Sequence, residues 1–487
     1  MEILTSCNLA SIAPYVPDAG NPWDIAKVKH VYRRLNYGAT DATLNIGIIG
    51  TPSELIDTLV QEAIDTPNPS QPVWGFWNIN NYTDFETENP AQINEWYAQT
   101  SIEFINGNLK NRLAFFWFNH FVTQVEVYFY GPYLYQYWDL MHTYAVGNFK
   151  EFVRAVGTSS AMLFFLNGFE NTNNSPNENY ARELYELFTL GINNGYTQTD
   201  IEETSRALTG YNHFGGNVPG NPISFDASTF DDSVKTIFEQ EGAWGYDDVI
   251  DILFDQKADL IAPYICEKLY NYFISPDTNQ NIVNEMAVTF LANDFEIAPV
   301  LEQLFKSEHF YDIDATGLVI KSPYDLTTTF VRETGFQYDN TDDQFTNFII
   351  YLNQITGQNL FQPVDVAGWQ RNRDWINSST LAGRWEGMRI LLYNFWNFDE
   401  EQFRDFAINM TGNSNDPAII TRTIIDFLMS RPLHTEADYD IAITVFRWEI
   451  PDNYYDDGLW NLSWESAPYQ VLLLLFHIIR MPEFQLK

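Results

Sequence analysis

Two histidines and a glutamate are the residues of this chain best suited to chemistry. His120, His142 and Glu183 lie in three successive helical patterns, and helices that follow one another pack closely. Their convergence would supply two neutral imidazoles and a carboxylate, a set suited to general acid–base catalysis or to holding a metal. We therefore take His120, His142 and Glu183 as catalytic candidates and as the weak candidates for metal ligands. None of the seven histidines stands at His-x3-His or HExxH spacing, so no metal motif and no cofactor is expected. A second constellation surrounds Glu183. Glu178, Glu183 and Glu186 offer paired carboxylates of the kind that cleave glycosidic bonds. Arg182, four residues from both Glu178 and Glu186, argues for a salt-bridged network instead, because a paired cation keeps a carboxylate ionised. Asn119, Asn179, Arg182, Glu186 and Arg206 complete a candidate binding cluster. Trp369 and Trp375, and likewise Trp74 and Trp77, offer faces on which a sugar ring stacks, although large aromatics more commonly anchor loops.

The elements that must position these groups read as helices. From Asn174 to Tyr211 the chain runs NSPNENYARELYELFTLGINNGYTQTDIEETSRALTGY. Asn179, Glu183 and Glu186 share one helical face, Gly191 reads as a C-cap, and Thr199 with Glu202 reads as the capping box of a second helix that stops at Gly210. Glu95 to Phe129 reads as one continuous helix, apolar nearly all round through RLAFFWFNHFVTQ, which makes it central and requires partners for Asn119 and His120. Thr51-Pro52-Ser53-Glu54 opens another helix with cap, N1 proline and N3 glutamate in register. Lys27 to Tyr37 is a short basic helix whose Arg33 and Arg34 call for carboxylate partners. Pro67 to Pro90 and Gly357 to Trp385 read as long shaped loops, the latter held by Trp369, Trp375 and Trp385. Strand alternation is nowhere convincing, and no repeat is found. The pattern is that of an all-α protein, a large multi-helix single domain with long irregular loops. Residues 1–29 form an arm and 30–487 the domain; if it divides, the lobes are 30–211 and 234–487, joined by a surface loop over 212–233.

The totals bound the function. With 487 residues, 45% apolar, the chain can build a sizeable core. A formal charge of −39 repels phosphate backbones and anionic lipid, so nucleic acid is excluded as a partner. Cys266 in IAPYICEKLYNYF reads as a small buried hydrophobe, and Cys7 lies too far away to suggest a disulfide framework. LTSC at Cys7 superficially matches a lipoprotein cleavage box without a hydrophobic stretch before it. The opening residues do not read as a secretory signal, and VLLLLFHII is too short for a membrane span, so the sequence alone points to a cytoplasmic protein. No GxSxG, Walker, Rossmann or CxxC motif occurs. DIDATG from Asp312 lacks the acid that a calcium loop requires at position twelve.

One resemblance covers nearly the whole chain. HVYRRLNYG, FWFNHF, HTYAVGNFKEF, PNENYAREL, LFTLGI, YTQTDIEE, SRALTGY, IKSPYDL, GQNLFQPVDVAGW and WINSSTL resemble the bacterial family known as domain of unknown function 1800. The resemblance implies a largely helical protein, often exported, often encoded beside a sulfatase- or phosphatase-like companion of family 1501. It also implies a His-Asp near Phe230-Asp231, where this chain carries Phe, which weighs against catalysis. Two function classes follow. A non-catalytic scaffold or assembly subunit of the cell envelope or an exported complex is slightly favoured. The alternative is an enzyme or binding protein acting on polysaccharide, anionic polysaccharide included, through the His/Asn/Glu/Arg cluster. Both rest on those ionic and imidazole groups meeting at the heart of the bundle.

Overall fold

Twenty-two α-helices and two small antiparallel pairs of strands make up the regular structure of residues 11–487, the part of the chain described by the structure, a computed structural model. The all-α expectation holds; Cys7 lies outside the described residues. The buried apolar side chains form one contiguous cluster that runs from Ile12 to Phe484. Among the described residues no helix is long and apolar enough to cross a membrane.

Local chemistry sets the helix ends. The Pro52–Asp65 helix opens as its sequence requires: the Thr51 hydroxyl accepts from the Glu54 amide at 3.2 Å and the Glu54 carboxylate accepts from the Thr51 amide at 2.8 Å. Removing the hydroxyl orphans a backbone donor, so Thr51→Ala is expected to cost about 1 kcal/mol in urea unfolding with an unchanged slope.

Three expectations need correction. The helix expected over Glu95–Phe129 is two helices, Phe85–Asn106 and Leu109–His120, followed by a short turn at Val125–Tyr128. The break lies at Gly107-Asn108: Asn108 caps the second helix, its side chain accepting from the Lys110 amide at 3.0 Å. A Cβ on residue 107 would sit 2.3 Å from the Glu103 carbonyl oxygen. The second capping box is built on Thr197 and Asp200, not on Thr199 and Glu202, and the helix spans Gln198–Ala207. Finally, the segment read as a loop over 212–233 contains strand pairing: Tyr211–Phe214 pairs with Ile223–Phe225, and Lys235–Ile237 with Gln240–Gly242 just beyond it. These strands are three or four residues long, too short for alternation to register.

The Leu109–His120 helix is central, as its composition demands. It packs on Pro52–Asp65, Phe85–Asn106 and Gly131–Thr143. Phe115 and Phe118 meet Trp369 at ring separations of 4.9 and 5.8 Å. Cations buried in this core meet carboxylates or backbone carbonyls. Arg33 holds Glu333 in a two-pronged contact at 2.5 and 2.8 Å, both side chains 2% exposed. Arg34, on the same helix, donates to the Ala315 carbonyl at 2.9 Å. Arg112 donates to Asp325 at 2.8 Å while its guanidinium lies over the Tyr37 ring at 4.3 Å. Lys487 binds the other oxygen of Asp325.

Candidate functional site

A chamber of about 210 Å³ opens between the Leu109–His120 helix, the second half of the Tyr246–Phe273 helix, and the loop from Trp369 to Trp375. Its apolar wall includes Phe115, Phe116, Tyr272, Trp369 and Trp375. The loop is pinned from several directions. Asn119 accepts from the Trp369 amide at 2.7 Å, the Trp369 indole donates to the Asn359 carbonyl at 3.0 Å, and Asn372 accepts from the Ile320 amide at 3.1 Å. Thr380 anchors the far side by donating to the Trp375 carbonyl at 2.8 Å.

Four ionisable groups line this chamber: Lys268, Arg371, Lys487 and Asp325. Lys487 and Asp325 neutralise each other. Lys268 and Arg371 have no ion pair and no side-chain hydrogen bond among the described residues, although Lys268 lies 4.6 Å over the Tyr264 ring. Lys268 is half-buried and Arg371 stands exposed at the mouth. Burial, then the proximity of Arg371, push the Lys268 amine down to about 7, with Glu267 pulling the other way. The chamber therefore carries two basic groups without a counter-ion, in a chain of net charge −39.

His120 forms part of the wall and is buried. Its Nε2 donates to the Phe188 carbonyl at 3.0 Å, which places the proton on that nitrogen and leaves the buried Nδ1 without a partner. Burial, then the charge of Lys268, hold its pKa well below the usual value, so the ring is neutral. Phe188 belongs to a π-helical turn, Leu184–Thr189, that continues the Asn179–Glu183 helix. Carbonyls in the last turn of a helix lack helical donors. Here the Leu187 carbonyl takes the Tyr264 hydroxyl at 2.9 Å and the Phe188 carbonyl takes His120. Gly191 then closes the turn at φ +95°, the left-handed geometry expected of it.

The other candidates lie elsewhere. His142 is buried against Trp138 and stands 3.9 Å from Glu103, not near Glu183. Burial pushes Glu103 up to about 7 and His142 down to about 3, so both disfavour charge. Glu183 is half-buried; burial and then Glu186 raise its pKa, against the pull of Arg182. The convergence of His120, His142 and Glu183 is not formed, and no group of three or more His, Cys, Asp or Glu able to hold a metal occurs among the described residues. Arg182 is 37% exposed and spans Glu178 at 2.8 Å and Glu186 at 3.3 Å, while Asn179 is exposed beside it. The network read from spacing exists, but at the surface and not at the heart of the bundle. Arg206 pairs with Glu203 at 2.7 Å and Asp231 at 2.9 Å. Phe230, where the resemblance leads one to expect His, packs on Phe225 at 5.4 Å and under the Lys235 amine at 5.0 Å.

Of the residues singled out by type and spacing, the chamber thus gathers Asn119, His120, Trp369 and Trp375. Lys268 and Arg371 escape that reading, although both lie in stretches with a clear pattern. The available signal was scarcity. In a chain with 26 basic residues against 65 acidic ones, a lysine inside IAPYICEKLYNYF and an arginine inside GWQRNRDW are conspicuous.

Comparison with known proteins adds one match. The family model described as "Protein of unknown function (DUF1800)" matches residues 30–486. No curated protein and no solved structure matches.

Proposed function

The chain belongs to the DUF1800 family, and from that premise, which supplies no activity, we propose that it binds a small anionic ligand in the chamber beside His120. The observation that carries this reading is the pair of basic groups, the Arg371 guanidinium and the Lys268 amine, facing a chamber with no carboxylate left to pair with them. Acidic residues outnumber basic ones by 65 to 26, so pairing every cation within the chain would have been easy. Two left free beside aromatic walls favour a ligand that brings its own negative charge and an apolar face.

Size narrows the ligand further. An apolar cavity of about 150 Å³ accommodates benzene, so about 210 Å³ suits one six-membered ring with its substituents. The polysaccharide alternative therefore narrows to a single acidic unit, with Trp369 or Trp375 against the ring. The scaffold reading draws less support. That reading, favoured by Phe230 and by the lack of a metal motif in the sequence, gives no role to the two basic groups in the chamber.

Arg371 is the residue to test, because it stands at the mouth and its loss leaves no buried charge orphaned. Charged hydrogen bonds contribute about 1.5–3 kcal/mol, so Arg371→Ala is expected to weaken binding of a uronic acid or sugar phosphate about tenfold to a hundredfold by calorimetry. Neutral sugars of the same shape should bind poorly to both proteins, and added salt should weaken only the acidic ligands. Equal affinity for neutral and acidic rings would overturn the reading.

A further inference from the structure

The chain contains ten lysines, and what their amines touch separates one from the rest. Lys27, Lys150, Lys306 and Lys487 pair with carboxylates. Lys29, Lys110, Lys235 and Lys321 donate to backbone carbonyls. Lys257 lies over the Phe238 ring, away from the chamber. Lys268 alone lines the chamber without giving a proton to any oxygen among the described residues. An amine bound to a carboxylate or carbonyl has its hydrogens and its position committed. The Lys268 amine, resting on the Tyr264 ring at the chamber wall, has its hydrogens uncommitted and is free to turn toward a ligand.

We propose that Lys268 is a nucleophilic amine that forms an imine with a carbonyl group of the anionic ligand, while Arg371 holds the ligand's charge. The inference rests on the anion-binding reading above and adds a covalent step to it. The nitrogen lone pair of Lys268 attacks the carbonyl carbon, and the π pair of the C=O bond moves to oxygen. Both hydrogens of the neutral amine pass to that oxygen, which leaves as water as the C=N bond closes. Amine plus carbonyl gives imine plus water, with no change of oxidation state. Such lysines work where burial or an adjacent cation keeps the amine free of its proton. Burial and Arg371, in that order, lower the Lys268 amine to about 7 against the pull of Glu267, so a share of it carries a free lone pair at neutral pH. The ligand class follows: a ring-sized aldehyde or ketone that also carries a carboxylate, sulfate or phosphate.

The test uses the full chain and carboxybenzaldehyde, in its meta and para isomers, as a ring-sized probe with a carboxylate and an aldehyde. Cyanoborohydride reduces any imine to a stable amine, and peptide mass mapping locates it. The expected result is saturable labelling of Lys268 at probe concentrations that leave the other nine lysines unmodified. Lys268→Met, similar in length and uncharged, should lose the adduct while keeping the melting temperature. Arg371→Ala should slow labelling at least tenfold. The matching hydroxymethylbenzoates, which have no carbonyl, should raise the melting temperature and compete with labelling. If they bind in an Arg371-dependent way but no selective adduct forms, the imine is overturned and anion binding stands. If they do not bind and labelling spreads evenly over surface lysines, both readings fail.

Discussion

Asp325→Asn is expected to destabilise the protein by about 3–5 kcal/mol, enough to remove a large share of an ordinary domain's stability. Asp325 is 3% exposed and holds two cations at once: Arg112, which is fully buried, at 2.8 Å, and Lys487 on its other oxygen. Its carboxylate also accepts from the Ser322 amide and hydroxyl, which starts the Pro323–Thr334 helix. The amide substitution keeps size and shape but leaves Arg112 and Lys487 facing each other without a counter-charge. Stabilisation by the tyrosine rings beneath Arg112 is too small to compensate, since a desolvated cation–π contact contributes about 2 kcal/mol. Urea unfolding followed by circular dichroism measures the loss. The same carboxylate predicts an acid limb. Burial works against its charge, but Arg112 and Lys487 outweigh burial and hold it well below the usual carboxylate range. A depressed folded pKa means that its stabilisation is complete above the unfolded value of about 3.9 and is lost only as pH falls below that. Between neutrality and about pH 4, the gap between wild type and Asp325→Asn should therefore stay constant, and it should narrow at lower pH. A gap that closes already near neutrality would mean that Asp325 does not carry the charge assigned to it.

The core that contains this pair was legible in outline from the residues alone. FWFNHF reads as a buried helix because its aromatic side chains, spread over six consecutive positions, leave no solvated face, and the structure buries it accordingly. The register of the Pro52–Asp65 helix was fixed by four residues acting locally. What could not be read was which distant elements meet. Spacing along a helix puts Glu178, Arg182 and Glu186 together but does not say whether their shared face looks inward or outward; it looks outward, with Arg182 37% exposed. His142 and Glu183 belong to neighbouring patterns, yet His142 turns to Glu103 on an earlier helix. Lys268 and Arg371 are about a hundred residues apart in the sequence and become neighbours only because Asn119 ties the loop after Gly368 to a third element. The π turn was equally hidden, since LYELFT has ordinary helical composition. Its wider winding is a tertiary consequence, registered by Tyr264 and His120 taking its last carbonyls.

That dependence on Asn119 gives the second large effect. Gly368→Ala is expected to weaken anion binding tenfold or more, while the helical core survives. Gly368 sits at φ +100°, a conformation that an L-residue adopts only with strain, and an added Cβ would lie 2.4 Å from Oδ1 and 2.8 Å from the backbone oxygen of Asn119. Asn119 cannot retreat easily, because it is on the buried central helix and its Oδ1 is the acceptor that fixes the Trp369 amide. The loop must give instead. Lifting it removes Trp369 from Phe115 and Phe118 and carries Arg371 away from Lys268, so the chamber loses a wall and its guanidinium together. The strain itself costs about 1–3 kcal/mol, smaller than the loss at Asp325, so the variant should unfold cooperatively with a modestly lower midpoint. Asn119→Ala reaches the same loop from the other side: it deletes the acceptor without a clash and should show a milder version of the same defect. Combined, the two substitutions should be less than additive, since removing the Asn119 side chain relieves part of the clash that the new methyl group creates. Hydrogen exchange should quicken at the Trp369 amide and along the loop to Trp375 in each variant, with the Leu109–His120 helix still protected. Full affinity in Gly368→Ala would mean that the ligand does not touch this loop, and Arg371 would lose its place in the site.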